Sequence, residues 1–144
     1  MKLENQVVSL DIAKKLKELG VKQESLFYWY KNMGQVRLAY KGDIRLSNES
    51  GKEVLYHSES HSSYQMNDVC SAFTVAELGE MLLKGVTLNI RIYDYGRGYI
   101  DYLDGTYTEE WRNNGDGGCI SEADARGLML VYLIENKLME VSKE

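Results

Sequence analysis

The chain has 144 residues, 44% hydrophobic and 27% charged, values that exclude wholesale disorder, and no apolar run approaches the ~20 residues that span a bilayer. Its length is that of one domain, expected over 1–144. The net charge of −5 is uneven, with nine Lys/Arg against five Asp/Glu in 1–45 and eight against seventeen in 46–144; the overall balance argues against direct nucleic-acid binding, which needs a net basic face.

Ser9 as N-cap, Asp11 in the first turn and the stripe Ile12, Ala13, Leu16, Leu19 predict a helix near 9–19. Gly20 reads as its left-handed stop and Val21 as the apolar partner of that stop. The aromatic run Phe27-Tyr28-Trp29-Tyr30 is strand chemistry, and a turn at Asn32-Met33-Gly34 returns the chain through an alternating strand from Val36 to Tyr40. Burial is expected for Phe27 and Trp29. Between about 44 and 68 the pattern fades to a long polar loop or insertion, with one short strand at Val54-Leu55-Tyr56.

Thr74 and Glu77 form a T-x-x-E capping box that opens a second helix near 74–84, with Val75, Leu78, Met81 and Leu82 as its apolar stripe and Lys84-Gly85 as its stop. Val86, Leu88, Ile90 and Ile92 alternate with polar neighbours, as a half-buried strand does. Turns at 94–98 and at Asp104-Gly105 then make 86–112 a β-meander. Ser121 and Asp124 open a last helix near 121–136, with Ala125, Leu128, Met129, Tyr132 and Asn136 along one face. The fold expected is α+β: three helices packed on an antiparallel sheet containing the meander. Leu16, Leu78, Ile90, Leu128 and Tyr132 are its expected core markers.

Three segments, NQVVSLDIAKKLKELGVKQESLFYW (5–29), SAFTVAELGEML (71–82) and ADARGLMLVYLIENKL (123–138), resemble an uncharacterised family of phage and prophage proteins. They cover 53 of the 144 residues. The chain departs from the family pattern at 31–70 and 86–118, and carries Leu83 where the family often has proline. The resemblance implies a phage or prophage origin and work inside an infected cell; it brings no activity, ligand or site residue with it. No apolar leader follows Lys2, so the cytoplasm of the bacterial host is the expected compartment, with Cys70 and Cys119 as thiols rather than a disulfide.

Four constellations carry chemistry. His57, Glu59 and His61 share one face of an extended strand, where two imidazoles and a carboxylate suit a metal; the Ser-rich surroundings favour a solvated polar loop, and neither metal nor cofactor is expected. Asp94, Asp101, Asp104, Glu109, Glu110 and Asp116 make the meander acidic, with Asp101, Glu109 and Glu110 the residues for a basic partner. Tyr95, beside Arg97 in a Gly-flanked turn, is the best ligand-contact aromatic, and Arg112 adds a second cation. The loop 113–118, with Gly115 and Gly117, leads to a helix start, where backbone N–H groups attract anions.

These readings rank three functions. The first is a non-catalytic phage-encoded binding protein that antagonises a host bacterial protein, such as an immune effector, through the acidic meander. The second is a binder that sequesters a small nucleotide-like host signal through Tyr95, Arg97, Arg112, Gly115 and Gly117. The third is a metal-dependent enzyme built on His57, Glu59 and His61. No membrane partner is expected, and the outward aromatics leave room for a homo-oligomer.

Overall fold

The computed structural model of the chain describes residues 3–32, 34–41, 54–57, 62–65, 67–83, 88–93, 96–112 and 120–141. Among the described residues three α-helices form where the capping residues place them: α1 (Leu10–Glu18), α2 (Val75–Leu82) and α3 (Glu122–Glu135). After α1, Gly20 adopts φ +88°. Its N–H donates to the Lys17 carbonyl, and the Val21 N–H donates to that of Leu16, which closes the last turn. At the end of α3 Lys137, at φ 58°, takes the same left-handed place, and the Leu138 N–H donates to the Leu133 carbonyl.

The two remaining caps reach beyond their own helices. The Thr74 hydroxyl accepts the Glu77 N–H, and Glu77 Oε1 accepts the Thr74 N–H, completing the capping box of α2. Glu77 Oε1 also accepts the Ser25 hydroxyl at 2.8 Å, and its Oε2 accepts the Leu26 N–H at 3.2 Å. One carboxylate therefore fixes both the start of α2 and the entry to the first strand.

In α3 the Ser121 hydroxyl accepts the Asp124 N–H. The Asp124 carboxylate does not close the reciprocal half of that box; it accepts the Ser9 N–H at 2.7 Å and so serves the N-terminus of α1, where the Ser9 side chain caps nothing. Burial raises the Asp124 pKa above the ordinary aspartate value, against the lowering effect of the bond from Ser9. A raised folded-state pKa means that the native state binds the proton more readily than the unfolded chain. Stability relative to an uncharged variant is therefore gained as pH falls through the folded pKa and lost as pH rises through it. Asp124→Asn keeps an oxygen for Ser9, so the stability difference between variant and parent is expected to favour the variant increasingly from pH 4 to pH 7 in urea titrations. A difference that moves the other way contradicts this assignment.

With the helices, the antiparallel strands make the α+β fold expected; among the described residues eight strands pair in three sheets. The first has the order β2 (Gln35–Tyr40), β1 (Phe27–Asn32), β5 (Asn67–Ser71); the second pairs β3 (Val54–His57) with β4 (Ser62–Gln65); the third runs β6 (Leu88–Tyr93), β7 (Arg97–Tyr102), β8 (Tyr107–Arg112). The expected loop at 44–68 thus contains a hairpin, and β5, which the sequence reading did not assign, joins it to α2. The Trp29 indole N–H donates to the Val8 carbonyl at 2.7 Å and ties the first sheet to the N-terminal segment.

Helix α3 runs through the centre, packed against α1, α2, β7 and β8. Ala123, Ala125, Gly127, Met129, Leu130 and Leu133 are its buried residues. A β carbon at Gly127 would lie 2.8 Å from side-chain carbons of Val8 and Ile12, so the missing side chain sets the close approach of α1 to α3. Leu16 and Leu78 are fully buried as expected, with Phe73, Leu82 and Ile100 around them.

Several burial expectations are corrected. Leu128 and Tyr132 are only partly buried and Asn136 is exposed, because the neighbours of α3 meet its Met129–Leu130–Leu133 side. On β1 the buried aromatics are Tyr28 and Tyr30, in a second cluster with Val69, whereas Phe27 and Trp29 are half-buried. Ile90 is 40% exposed and Ile92 68%. Ile90 does face the same side as fully buried Ile100, its cross-strand partner, but α3 packs chiefly over β7 and β8 and leaves Ile90 beside a groove that Glu122 and Arg126 of α3 also line.

Candidate ligand-binding face

Alternation divides the β6–β8 sheet into two chemically different faces. The inner face presents Ile100, Tyr102 and Trp111 to the core, and the Tyr107 ring stacks on Tyr132 with centroids 3.9 Å apart and planes 3° off parallel. The Tyr107 hydroxyl donates to Glu109 on this same side. Burial first, and then that bond and the Glu109 charge, push the Tyr107 pKa well above the ordinary tyrosine range, so the phenol is a structural donor rather than an available tyrosinate.

The outer face carries Asn89, Arg91 and Tyr93 from β6, Arg97, Tyr99 and Asp101 from β7, and Thr108, Glu110 and Arg112 from β8. Register places them: Tyr93 is opposite Arg97 and Arg97 is opposite Arg112, while Arg91 is opposite Tyr99 and Tyr99 opposite Glu110. Much of this face forms a depression of about 730 Å³ whose lining includes Tyr93, Arg97, Tyr99, Glu110 and Arg112. The Tyr93 and Tyr99 rings contact each other with centroids 5.9 Å apart, as one tilted aromatic plate beside the arginine pair.

Two like charges placed directly opposite on neighbouring strands repel, with Cβ atoms typically ~5 Å apart. Among the described residues neither Arg97 nor Arg112 has an ion pair or a side-chain hydrogen bond to relieve that repulsion. Asp101 is occupied elsewhere: its Oδ1 accepts the Gly105 N–H at 2.9 Å and the Thr108 hydroxyl at 2.8 Å, which hold the β7–β8 turn. That turn needs such support, since Leu103 (φ 47°) and Asp104 (φ 49°) both take left-handed backbone, which costs side-chain-bearing residues roughly 1–2 kcal/mol each.

The residues singled out from sequence therefore separate. Arg97 and Arg112 come together, with Asp101 and Glu110 on their face. Glu109 does not join Asp101 and Glu110; it points to the inner side and serves Tyr107, so the proposed acidic trio is not one surface. Tyr95, Gly115 and Gly117 lie outside the described residues, as do Glu59, His61 and Cys119. His57 is placed only as the last residue of β3. Among the described residues no group of three or more His, Cys, Asp or Glu is arranged to hold a metal. Cys70 is buried in the main core. No helix among the described residues is long and apolar enough to cross a membrane.

Sequence reasoning missed Arg91, Tyr93 and Tyr99 as members of the face. The signal was present: 89, 91, 93 and 97, 99, 101 are the polar alternates of two paired strands. Strict use of the two-residue period also separates Glu109 from Glu110. No family model, curated protein or solved structure matches this chain.

Proposed function

We propose that the chain is a non-catalytic binding protein of phage or prophage origin that works against its bacterial host by capturing a small nucleotide-like anion on the outer face of β6–β8. The observation that carries this reading is the register of Arg97 opposite Arg112, neither of which has an ion pair among the described residues. A phosphate seated between two guanidiniums removes their repulsion and accepts charge-assisted hydrogen bonds from both. The exposed Tyr93 ring and its neighbour Tyr99 supply a surface on which a planar base stacks. The competing acidic reading, contact of a basic host protein through Asp101, Glu109 and Glu110, loses support because Asp101 is engaged in holding the β7–β8 turn and Glu109 faces the inner side, where it accepts from Tyr107.

The test is calorimetric titration of the full chain with adenosine monophosphate, with adenosine and inorganic phosphate as comparators. Arg97→Ala and Arg112→Ala are each expected to weaken nucleotide binding roughly tenfold or more, from the loss of a charge-assisted bond worth about 1.5–3 kcal/mol. Glu110→Lys is expected to strengthen it, and raised salt to weaken it. If Glu110→Lys impairs binding while both arginine variants leave it intact, the face works through its acids and the proposal is wrong.

A further inference from the structure

We propose that β6 is a docking edge for an extended partner segment that alternates apolar and acidic residues and adds to the sheet as a further strand. Among the described residues β6 ends the strand order β6-β7-β8 and has β7 as its only strand neighbour. Its six residues pair with β7 in unbroken register, so no bulge turns the edge away. The chain has no proline to block it. An inward-pointing charge is another common protection for an edge. Here the inward positions are Leu88, Ile90 and Ile92, and the last two are among the large hydrophobics that stay exposed. Beside Ile90 a groove of about 750 Å³ runs past Leu3, Phe27 and Leu83, a surface able to receive the apolar side chains of an added strand.

Charge selects the occupant. Arg91 is the one ionised side chain of β6; it is exposed, and among the described residues it has no ion pair. Cross-strand neighbours of opposite charge stabilise a pairing, and like charges weaken it. A second copy joined antiparallel about Ile90 aligns the apolar stripes, but it sets Asn89 against Arg91 and brings the two Arg91 side chains to diagonal positions. It supplies no carboxylate. An aspartate or glutamate between the apolar positions of a partner strand does. The exposed edge strand β2 is less suited, because the Arg37 guanidinium already donates to Gln35 and Tyr40 packs on Phe27.

The experiment is fluorescence anisotropy of the full chain with a labelled octapeptide alternating valine and glutamate, against one alternating valine and lysine. The glutamate peptide is expected to bind saturably and roughly five- to tenfold more tightly than the lysine peptide. Arg91→Glu inverts that preference, and Ile92→Lys abolishes binding of both peptides while the far-ultraviolet dichroism stays that of the parent. Arg97→Ala with Arg112→Ala leaves peptide binding unchanged, which separates this edge from the anion face. Equal affinity for the two peptides, or no saturable binding, overturns the proposal. So does a dimer in sedimentation that Ile92→Lys disperses, since the edge then belongs to a second copy.

Discussion

Gly98→Ala is expected to destabilise the protein by roughly 3 kcal/mol, at the upper end of what overpacking a core site costs. Gly98 lies opposite Trp111 on the inner side of the sheet. A β carbon there would sit 2.3 Å from Trp111 Cζ2, 2.7 Å from its Cε2 and 2.6 Å from the Arg91 carbonyl oxygen. A flexible side-chain end retreats from such a contact easily, but a buried indole and a strand carbonyl do not. Trp111 is 4% exposed and belongs to the main core with Ile100 and Met129. Urea unfolding checks the size of the loss. A double-mutant cycle with Trp111→Leu checks its cause, because shrinking the ring relieves part of the strain and the two effects are then non-additive. A loss below about 0.5 kcal/mol, the range of an ordinary surface change, contradicts this packing.

Glu77→Ala is expected to cost a comparable amount, roughly 3 kcal/mol, against about 1 kcal/mol for loss of an ordinary helix cap. The excess arises because Glu77 receives donors from two elements. Thr74 belongs to the cap of α2, whereas Ser25, 5% exposed, and Leu26 belong to the entry of β1. Removing the carboxylate leaves a buried hydroxyl to find another acceptor, and the Ala72 carbonyl at 3.2 Å is the one at hand. Glu77→Gln keeps an oxygen in reach and is expected to lose less. Chemical denaturation of both variants reads this order directly. Equal, cap-sized losses would mean that the link to β1 contributes nothing.

These two sites show why some of the fold was legible in the sequence and some was not. Capping is local chemistry, so Ser9, Thr74, Glu77, Gly20 and Ser121 marked the helices to within a residue or two. The second task of Glu77, and the turning of Asp124 towards Ser9, join positions 51 and 115 residues apart, and no local pattern announces them. Alternation gave β6–β8 their period and their faces. It could not say where the cover ends, so Ile90 and Ile92 were expected inside and lie at an uncovered edge. On α3 a stripe apolar on several sides concealed which side is innermost. Ala125 and Met129 of the expected stripe are innermost, but Leu130 and Leu133 took the places of Leu128 and Tyr132, because α1, α2 and the sheet converge there.

The candidate face was half legible for the same reason. Arg97 and Arg112 stood out as the cations of an acidic segment, but their pairing is a property of register, which depends on the β7–β8 turn and its Asp101 bonds. Tyr93 and Tyr99 stood on the strands without a sign that they meet. Gly98 looked like one more turn glycine and proves to be the seat of Trp111.

Nuclear magnetic resonance of the arginine side-chain Nε–H groups, during titration with adenosine monophosphate, tests the central claim most directly. The account predicts that the Arg97 and Arg112 signals shift together and saturate at one ligand equivalent, with Tyr93 and Tyr99 ring resonances moving alongside. Adenosine alone should leave the two arginines in place, since the phosphate is what joins them. Arginine signals that stay still while the nucleotide is added, or that move no more than those of Arg37 on the far sheet, would contradict it.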